Sequence, residues 1–445
     1  MNPALSRFLY YTAQSFRGEP VARVVKELEA SQSWDPERLN TLQWERQTAL
    51  VRHAFDASPF WRERLSAIGL EPAALRSRAD WERIPPLEKR EVQEHGAAMH
   101  AAGGPPGLAA STSGSSGTPV TVDRGHLSWA HAHANVIRGW SWHGLEVGER
   151  YAYFWGVPLD PKDQRKAEQR DRFFNRDRCS AFDLDASRAT EFYEKLAAHK
   201  SHWAFGYPSA LARFAGLVSD LGLDGREMGW KVAITTAEVL HPHQREAIAS
   251  AFGCPVADSY GCAEAGVAGF ECERGGMHVP IESVVVDLVP ANDGLSEILL
   301  TDLHNLRQPL IRYRVGDLVE PVAPGTRCAC GRALPLLGRL TGRAGDTLEL
   351  PDGRRVNANL PSYVFKHHGK AGTVREYQFV QFPDGVIELR ILPGPAWVES
   401  TAAGLSREVR DVLEVDVRLK LVDRFERRGR GKHRDYVRAE EIAEA

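Results

Sequence analysis

The stretch Ser111-Thr112-Ser113-Gly114-Ser115-Ser116-Gly117-Thr118-Pro119 determines how the rest of the chain is interpreted. Its two glycines let the backbone approach an anion closely and adopt positive φ, while its hydroxyl and N–H groups supply hydrogen-bond donors. Val120-Thr121-Val122 follows as the start of a strand, which sets the loop between ordered elements. A Ser/Gly linker has a similar composition and is the alternative. The pattern favours a loop that binds the phosphates of a nucleotide, with residues 111–118 as its contacts.

The loop belongs to neither of two common phosphate-binding classes. A Walker A loop needs Gly-x-x-x-x-Gly-Lys-[Ser/Thr], and a dinucleotide fold needs Gly-x-Gly-x-x-Gly. Residues 111–119 match neither pattern. The sequence therefore indicates another class of ATP site.

The loop resembles the phosphate-binding loop of the adenylate-forming (ANL) superfamily, whose usual form is Ser/Thr-Ser-Gly-Thr-Thr-Gly-x-Pro. Further stretches match in the family's order. Tyr260-Gly261-Cys262-Ala263-Glu264 is similar to Tyr-Gly-x-Thr/Ser-Glu, and Tyr313-Arg314-Val315-Gly316-Asp317 is similar to Tyr-Arg-x-Gly-Asp. Gly342-Arg343-Ala344-Gly345-Asp346 resembles the hinge motif Gly-Arg-x-Asp-Asp, and Gly431-Lys432-His433-Arg434 resembles the C-terminal lysine motif. Chance rarely produces so many matches in one order.

Within this superfamily, the likeness is to the phenylacetate–CoA ligase and CapK-like branch. The features that carry it are an N-terminal helix from Arg46 to Leu65, the stretch Ile84–Lys89, the stretch Phe205–Ser209 and Cys-x-Cys-Gly-Arg at 328–332. The resemblance spans nearly the whole chain. It implies a ligase that uses ATP to convert an aryl or arylacetic acid into an acyl-adenylate and then transfers the acyl group to CoA.

Two alternatives to this function stay open from the sequence. CapK-like proteins occur in polysaccharide and natural-product biosynthesis, where an amine or a carrier-protein thiol can accept the acyl group. The second alternative is a nucleotide-binding protein without catalysis, because Thr118 and Gly345 replace the lysine and aspartate that are usual in the family. The presence of Glu264, Asp317 and Lys432 argues against it.

The family's roles transfer to the matching residues of this chain. Glu264 would bind Mg²⁺, Asp317 would accept hydrogen bonds from the ribose hydroxyls, and Lys432 would reach the carboxylate and the α-phosphate. A solvated loop acid, a strand-end turn and a solvated basic tail are the respective alternatives. Helix capping is the alternative for residues 236–238. The other predicted nucleotide contacts are Thr236, Ala237, Glu238, Tyr260, Gly261, Arg332 and Arg343.

The predicted acyl pocket consists of aromatic side chains. Trp140, Phe205 and Tyr207 could line it, because such pockets are mostly apolar with few polar anchors. Packing in the core is the alternative for each of them. His131 and His133 are predicted to lie exposed on a helix.

Three cysteines and a histidine form a candidate metal site. Cys272, His278, Cys328 and Cys330 offer four borderline-soft ligands, which suits tetrahedral Zn²⁺. Their spacing departs from the usual zinc-finger pattern, so reduced and partly buried thiols are the alternative. Branch members carry a similar set, and the resemblance therefore implies a structural zinc ion with no open coordination position.

Composition and charge narrow the range of partners. A chain of 445 residues that is 43% hydrophobic can bury a full core. Its net charge of -3 provides no basic field for nucleic acid. No apolar run reaches the roughly 18–20 residues that cross a bilayer, and the N-terminus has no signal-peptide core. We expect small-molecule substrates, no nucleic-acid or membrane partner and a cytoplasmic location, and the resemblance adds a homodimer to these expectations.

Alternating strand and helix patterns predict an α/β fold in three parts. Residues 1–100 would form a helical cover, and residues 101–344 a large layered α/β core with a β-rich subdomain. Residues 345–445 would form a small, mobile α+β cap domain. Within the core, the predicted strands include Trp203–Gly206 and Val256–Tyr260, and the predicted helices include 186–199.

Overall fold

The computed structural model describes most of the chain and resolves it into two compact units. The described residues are 1–111, 120–156, 161–180, 184–291, 294–323, 325–344, 347–351, 353–357, 364–365, 368, 372–425 and 433–443. The first unit contains residues 1–6, 148–258 and 341–445, and the second contains residues 7–147 and 259–340. The boundaries predicted near residues 100 and 345 stay predictions.

Helices and strands alternate along much of the chain. The helices are α1 (Pro3–Phe16), α2 (Val21–Ser31), α3 (Pro36–Ala57), α4 (Pro59–Ala67), α5 (Arg78–Glu82), α6 (Lys89–His95), α7 (His126–Ser141), α8 (Pro161–Phe173), α9 (Ala186–His199), α10 (Pro208–Asp220), α11 (Pro242–Phe252), α12 (Glu399–Leu413) and α13 (Ala439–Ala443). The strands are β1 (Gly107–Ser111), β2 (Thr121–Gly125), β3 (Tyr151–Trp155), β4 (Arg176–Ser180), β5 (Trp203–Gly206), β6 (Ala233–Thr236), β7 (Val256–Cys262), β8 (Gly266–Glu271), β9 (Met277–His278), β10 (Val284–Pro290), β11 (Ser296–Asp302), β12 (Tyr313–Val319), β13 (Leu336–Leu337), β14 (Leu340–Arg343), β15 (Thr347–Glu349), β16 (Arg355–Asn357), β17 (Val374–Gln381), β18 (Ile387–Pro393), β19 (Arg418–Leu421) and β20 (Tyr436–Arg438). Among the described helices, none combines the length and the apolar character that crossing a membrane would require.

A parallel sheet forms the centre of the first unit. Its strands run in the order β4-β3-β5-β6, and β3 pairs in parallel with both β4 and β5. The inner strands β3 and β5 are apolar along most of their length, as is typical where both faces of a sheet are covered, whereas the edge strand β4 is polar. Phe154 of β3 packs with Phe192 of α9 and Phe214 of α10 in that cover. The predicted α/β layering is confirmed, and α9 has the predicted bounds.

The C-terminal segment adds a second, mixed sheet to the same unit. Its order is β19-β18-β17-β20, with β17 and β18 antiparallel and the outer strands parallel to their neighbours. The amphipathic helix α12 buries Leu405 and Val409 in the same core as Leu389 and Ile391 of β18. This α+β arrangement is the one that the sequence predicts for the C-terminal segment.

The second unit combines helices with antiparallel strands. Strands β10, β11 and β12 form one antiparallel sheet, and β7, β8, β9 and β13 follow one another in another. Trp61 and Trp81 are fully buried against them, and each indole N–H donates a hydrogen bond, to the Pro309 carbonyl and the Asp287 carboxylate. These bonds satisfy the one polar group that each ring buries.

The predicted helix from Arg46 to Leu65 is wrong in one respect, because two helices occupy this stretch. Ser58 has extended backbone dihedrals and ends α3. Its hydroxyl accepts the backbone N–H of Trp61, and Pro59 takes the first position of α4. Proline fits that position because it has no N–H to leave unpaired.

His131 and His304 stack inside the second unit with ring centroids 3.4 Å apart. His131 lies on α7 as predicted, but it is 4% exposed, so its predicted exposure is wrong. Its Nδ1 lies 2.9 Å from the Ser283 hydroxyl, and His304 Nε2 donates to the Glu282 carbonyl at 3.0 Å. Burial lowers the pKa of both rings, with His304 at about 4. The neutral forms are therefore part of the folded state.

This histidine pair makes folding sensitive to acid. The pKa of His304 is about 4 in the folded chain against 6.5 as its ordinary value, so between these pH values the unfolded chain binds a proton that the folded chain excludes. Stability from this group is present above pH 6.5 and is lost as pH falls. We expect His304 to remove about 3 kcal/mol of unfolding free energy over this range. Urea titrations at several pH values measure it, and a His304→Gln protein with an equally steep profile would contradict it.

Candidate active site

Two motif residues meet through a hydrogen bond in the second unit. The phenol of Tyr260, on β7, donates to Asp317 Oδ2 at 2.8 Å. Gly316, directly before Asp317 on β12, has φ +80, a backbone conformation that glycine adopts without a Cβ clash. Tyr260 is buried and Asp317 is half-buried. The tyrosine hydroxyl therefore orients the Asp317 carboxylate, and part of the aspartate faces solvent.

The second motif acid is held in a similar way. Glu264 follows β7 and is 8% exposed. Tyr313, on β12, donates from its hydroxyl to Glu264 Oε1 at 3.2 Å. A carboxylate that is fixed in direction suits Mg²⁺, which prefers hard oxygen ligands and commonly takes one or two carboxylates together with phosphate oxygens.

The turn that carries Glu264 rests on a buried arginine. Arg124, on β2, is 2% exposed and donates to the Ala263 carbonyl at 3.3 Å and to Asp302 Oδ2 at 3.2 Å. Its Nε also donates to the Ser128 hydroxyl at 2.9 Å. This network links the strand that follows the predicted phosphate loop to the residue before Glu264. Sequence reasoning missed Arg124, and its only signal was its place shortly after the loop.

The flanks of the predicted phosphate loop form a hairpin. Strands β1 and β2 are antiparallel, with Ser111 paired with Thr121, and the two hydroxyl oxygens lie 2.8 Å apart. Ser111 is therefore placed at the end of a regular ladder. The other predicted contacts lie outside the described residues: Thr112, Ser113, Gly114, Ser115, Ser116, Gly117 and Thr118.

The predicted adenine-bordering segment lies at the end of β6 in the first unit. Thr236 is the last residue of the strand, and Ala237 has φ +71, which is uncommon for a residue with a Cβ. Backbone strain of this kind tends to occur at functional sites. Glu238 accepts hydrogen bonds from the backbone N–H groups of Ser209 and His433. Both oxygens of its side chain thus have structural contacts.

The candidate metal ligands converge in the second unit. The donor atoms of Cys272, His278, Cys328 and Cys330 all lie within 4.8 Å of one another. The sulfurs of Cys272 and Cys328 are 3.5 Å apart, and His278 Nε2 is 3.2 Å from Cys330 Sγ. Zinc–sulfur bonds of about 2.3 Å give tetrahedral edges of about 3.8 Å, so the spacing is close to that of a zinc site.

Hydrogen bonds around this cluster prepare its ligands. His278 Nδ1 donates to the Leu334 carbonyl at 3.0 Å, which leaves Nε2 to face the thiols. Burial raises the pKa of Cys272 to about 12. Burial opposes ionisation of Cys330 too, but hydrogen bonds from Arg332 lower the pKa of that thiol overall. The residues present fit a zinc ion, and a metal would also favour the thiolate form at Cys272.

Comparison with known proteins shows what the chain is similar to. No protein-family model matches the chain. CapK of Staphylococcus aureus is 25% identical over 252 residues, which cover 54% of this chain and 53% of CapK, so the match spans about half of that relative. Phenylacetate-coenzyme A ligase of Pseudomonas putida is 24% identical, covering 70% of this chain and 71% of the relative. That of Thermus thermophilus is also 24% identical, covering 86% and 87%.

Solved structures give the fold. 2-Hydroxyisobutyryl-CoA ligase in the postadenylation state, in complex with R3-HIB-AMP, matches with a TM-score of 0.74 at 20% identity, covering 93% of this chain and 92% of the other. The chain has the fold of the adenylate-forming ligases. Its sequence resembles the phenylacetate–CoA ligase and CapK-like branch, which confirms the resemblance seen in the motifs.

The two arginines that are predicted to contact the nucleotide have different surroundings. Arg343 is half-buried at the end of β14. Arg332 lies beside the metal cluster, where it donates to Glu273 at 3.0 Å and its guanidinium is 4.7 Å from the ring centre of Trp142. Its predicted contact with the nucleotide stays a prediction, and the described contacts give it a structural role.

An aromatic face in the first unit contains two of the three predicted acyl-pocket residues. Phe205 is half-buried on β5, and Tyr207 is fully buried at the start of α10. Trp155 of β3 joins them, with its ring centre 4.3 Å from Tyr207 and 6.2 Å from Phe205. The alternation Tyr151-x-Tyr153-x-Trp155 was the signal for Trp155 that sequence reasoning missed. Trp140 lies on α7 in the second unit and packs against a hydrophobic cluster that includes Val21 and Val24 of α2.

Proposed function

We propose that this protein is an ATP-dependent acid–thiol ligase that activates an aryl or arylacetic acid and transfers the acyl group to CoA. The observation that carries the proposal is the crosswise support of two motif acids in one unit, Tyr260 on Asp317 and Tyr313 on Glu264. The adenylate-forming fold and the similarity to phenylacetate-coenzyme A ligases support it.

In the first half-reaction, a carboxylate oxygen attacks the α-phosphorus of ATP. The bond from that phosphorus to the oxygen bridging to the β-phosphate breaks, and pyrophosphate leaves. Asp317 would orient the ribose through its hydroxyls. Lys432, which lies outside the described residues, would place a cation against charge that develops between carboxylate and phosphate. Mg²⁺, held by Glu264, would supply charge neutralisation of the phosphates.

In the second half-reaction, the thiolate of CoA attacks the acyl carbonyl carbon. A carbon–sulfur bond forms, the carbon–oxygen bond to AMP breaks, and AMP leaves with the electron pair. We retain the sequence-based proposal that residues 345–445 move as a cap between the steps. Phe205 and Trp155 would contact the acyl group, with the fully buried Tyr207 packed against Trp155 as support.

The proposal includes a structural zinc ion bound by Cys272, His278, Cys328 and Cys330. The convergence of the four donor atoms supports it. Four protein ligands complete a tetrahedral shell, so the ion would hold β8, β9 and the segment near residue 330 together rather than bind substrate.

A pyrophosphate-release assay with a panel of acids, with and without CoA, tests the proposed function. We expect release that depends on an aryl or arylacetic acid, and a CoA thioester in the mass spectrum of the products. Pyrophosphate without thioester would favour the amine or carrier-thiol acceptor that the CapK likeness raises. Nucleotide binding without pyrophosphate from any acid would favour the non-catalytic alternative.

Replacement of Lys432 by alanine isolates the first half-reaction. We expect Lys432→Ala to form acyl-AMP about 100-fold more slowly, because a cation aimed at developing charge is lost. Lys420→Ala is the matched control, since Lys420 is exposed on β19 of the same unit. A Lys432→Ala protein that forms acyl-AMP at the wild-type rate would exclude this residue from catalysis.

A further inference from the structure

Glu238 connects the end of β6 to the residue that directly follows Lys432. Its Oε1 accepts the backbone N–H of His433 at 2.6 Å, and its Oε2 accepts the backbone N–H of Ser209 at 3.2 Å. Ser209 lies in the first turn of α10, where unpaired N–H groups and the helix dipole favour a carboxylate. A single side chain therefore fixes the backbone at His433 to a helix N-terminus.

Asp435 forms a second connection to the same region. Its Oδ2 is 2.8 Å from His241 Nε2, and its Oδ1 is 3.3 Å from His433 Nε2. His241 stands at the N-cap of α11, where its backbone N–H donates to Gln244 Oε1 at 3.0 Å. A carboxylate can only accept, so His241 Nε2 is the donor to Asp435. Burial alone would raise the pKa of Asp435, but the two histidines lower it overall. An ionised carboxylate thus bridges them.

The ring of His433 is held through its Nε2 atom. Nε2 also lies 2.9 Å from the Tyr377 carbonyl, and Nδ1 lies 3.6 Å from Glu376 Oε2. Phe425 contacts the ring edge-on, with centroids 5.1 Å apart. The Tyr377 carbonyl and the Asp435 carboxylate can only accept, so Nε2 is the donor in both of its contacts. The ring has one orientation as a result.

We infer that Glu238, His241, His433 and Asp435 form a clasp that fixes the backbone directly after Lys432, and that this serves the first half-reaction. One end of the clasp is the segment 236–241, which is predicted to border adenine, and the other end begins one residue after the lysine. Misplacement of a reacting group by about 1 Å can cost 100-fold in rate, so a clasp next to Lys432 acts on catalysis without touching substrate. The inference rests on the proposed function.

Asp435→Asn is the variant that tests the clasp. Asparagine keeps one oxygen but turns an NH₂ group toward one of two histidine N–H donors. We expect acyl-AMP formation to fall about 30-fold, while thioester formation from supplied acyl-AMP changes less than about 3-fold. In His433→Gln the amide can replace donation from Nε2, and we expect acyl-AMP formation within about 5-fold of wild type.

An ion pair elsewhere in the first unit provides a matched control, because it also connects the C-terminal sheet to the region around α10. Arg375 of β17 forms an ion pair with Asp220 at the end of α10. We expect Asp220→Asn to leave both half-reactions within about 2-fold of wild type, because half-exposed ion pairs contribute little. Equal losses in Asp435→Asn and Asp220→Asn, or equal losses of both half-reactions in Asp435→Asn, would overturn the positioning role.

Hydrogen exchange separates the clasp from the proposed function. In the wild-type protein, we expect the His433 amide to exchange at least about 10-fold more slowly than in Asp435→Asn, with Asp220→Asn resembling wild type. A wild-type His433 amide that exchanges as in an unfolded peptide would show that the clasp is absent, whatever the protein catalyses. If the His433 amide exchanged slowly but the protein released no pyrophosphate with any acid, the proposed function and the catalytic role of the clasp would both be wrong. The hydrogen bond from the His433 amide to Glu238 would still be established.

Discussion

A Glu264→Gln protein releases pyrophosphate about 1,000-fold more slowly than the wild type, which corresponds to about 4 kcal/mol of lost transition-state stabilisation. Glutamine has the shape of glutamate and can still accept the hydrogen bond from Tyr313. It has no negative charge, however, and therefore binds Mg²⁺ weakly. Initial rates at saturating ATP and acid, measured over a magnesium titration, give the size of the effect and the shift in magnesium dependence.

Tyr313→Phe provides the control for this result. It removes the hydroxyl that orients Glu264 but leaves the carboxylate in place. We expect a loss of no more than about 10-fold, since one neutral hydrogen bond is removed. If both variants lost activity equally, or if Glu264→Gln kept the wild-type rate, Glu264 would not be a magnesium ligand.

A Cys330→Ser protein contains no stoichiometric zinc and unfolds more easily than the wild type. Serine is a poor ligand for zinc, and three remaining ligands cannot close the tetrahedral shell. When free zinc is about 1,000 times Kd, its binding stabilises the folded state by about 4 kcal/mol, and we expect a loss of this order. Elemental analysis of the purified protein and urea unfolding with and without a chelator measure the two effects.

Cys254→Ala is the matched control for the zinc site. Cys254 is another buried thiol, but it packs in the hydrophobic core of the first unit. We expect this variant to keep one zinc ion per chain. A wild-type protein without zinc, or one whose unfolding a chelator leaves unchanged, would rule out the structural metal.

The sequence predicts which residues belong to the site, but it does not predict which of them are hydrogen-bonded to each other. Tyr260, Glu264, Tyr313 and Asp317 stand in two short motifs, and their residue types indicate the chemistry. The motifs do not reveal that each tyrosine supports the acid of the other motif. That pairing depends on contacts between β7 and β12, which are distant along the chain.

Residues without a motif could not be found from the sequence. Asp435 and His241 are separated by most of the C-terminal half, and only the folded chain shows that they meet. His131 is predicted to be exposed on a helix, but the folded chain buries it. Helix α7 buries residues around much of its circumference, and polar partners such as Ser283 satisfy them. A helix of this kind lacks the periodicity that would reveal its buried positions.

Gly276 has a consequence for how the metal centre can change during evolution. A Cβ atom at this position would lie 2.6 Å from the sulfur of Cys328, closer than any real Cβ contact. Positions 276 and 328 are therefore coupled. While Cys328 is present, a residue larger than glycine at position 276 would clash with its sulfur. In a related protein that has lost the zinc site, this steric restriction would be absent. We therefore expect substitutions at positions 276 and 328 to occur together.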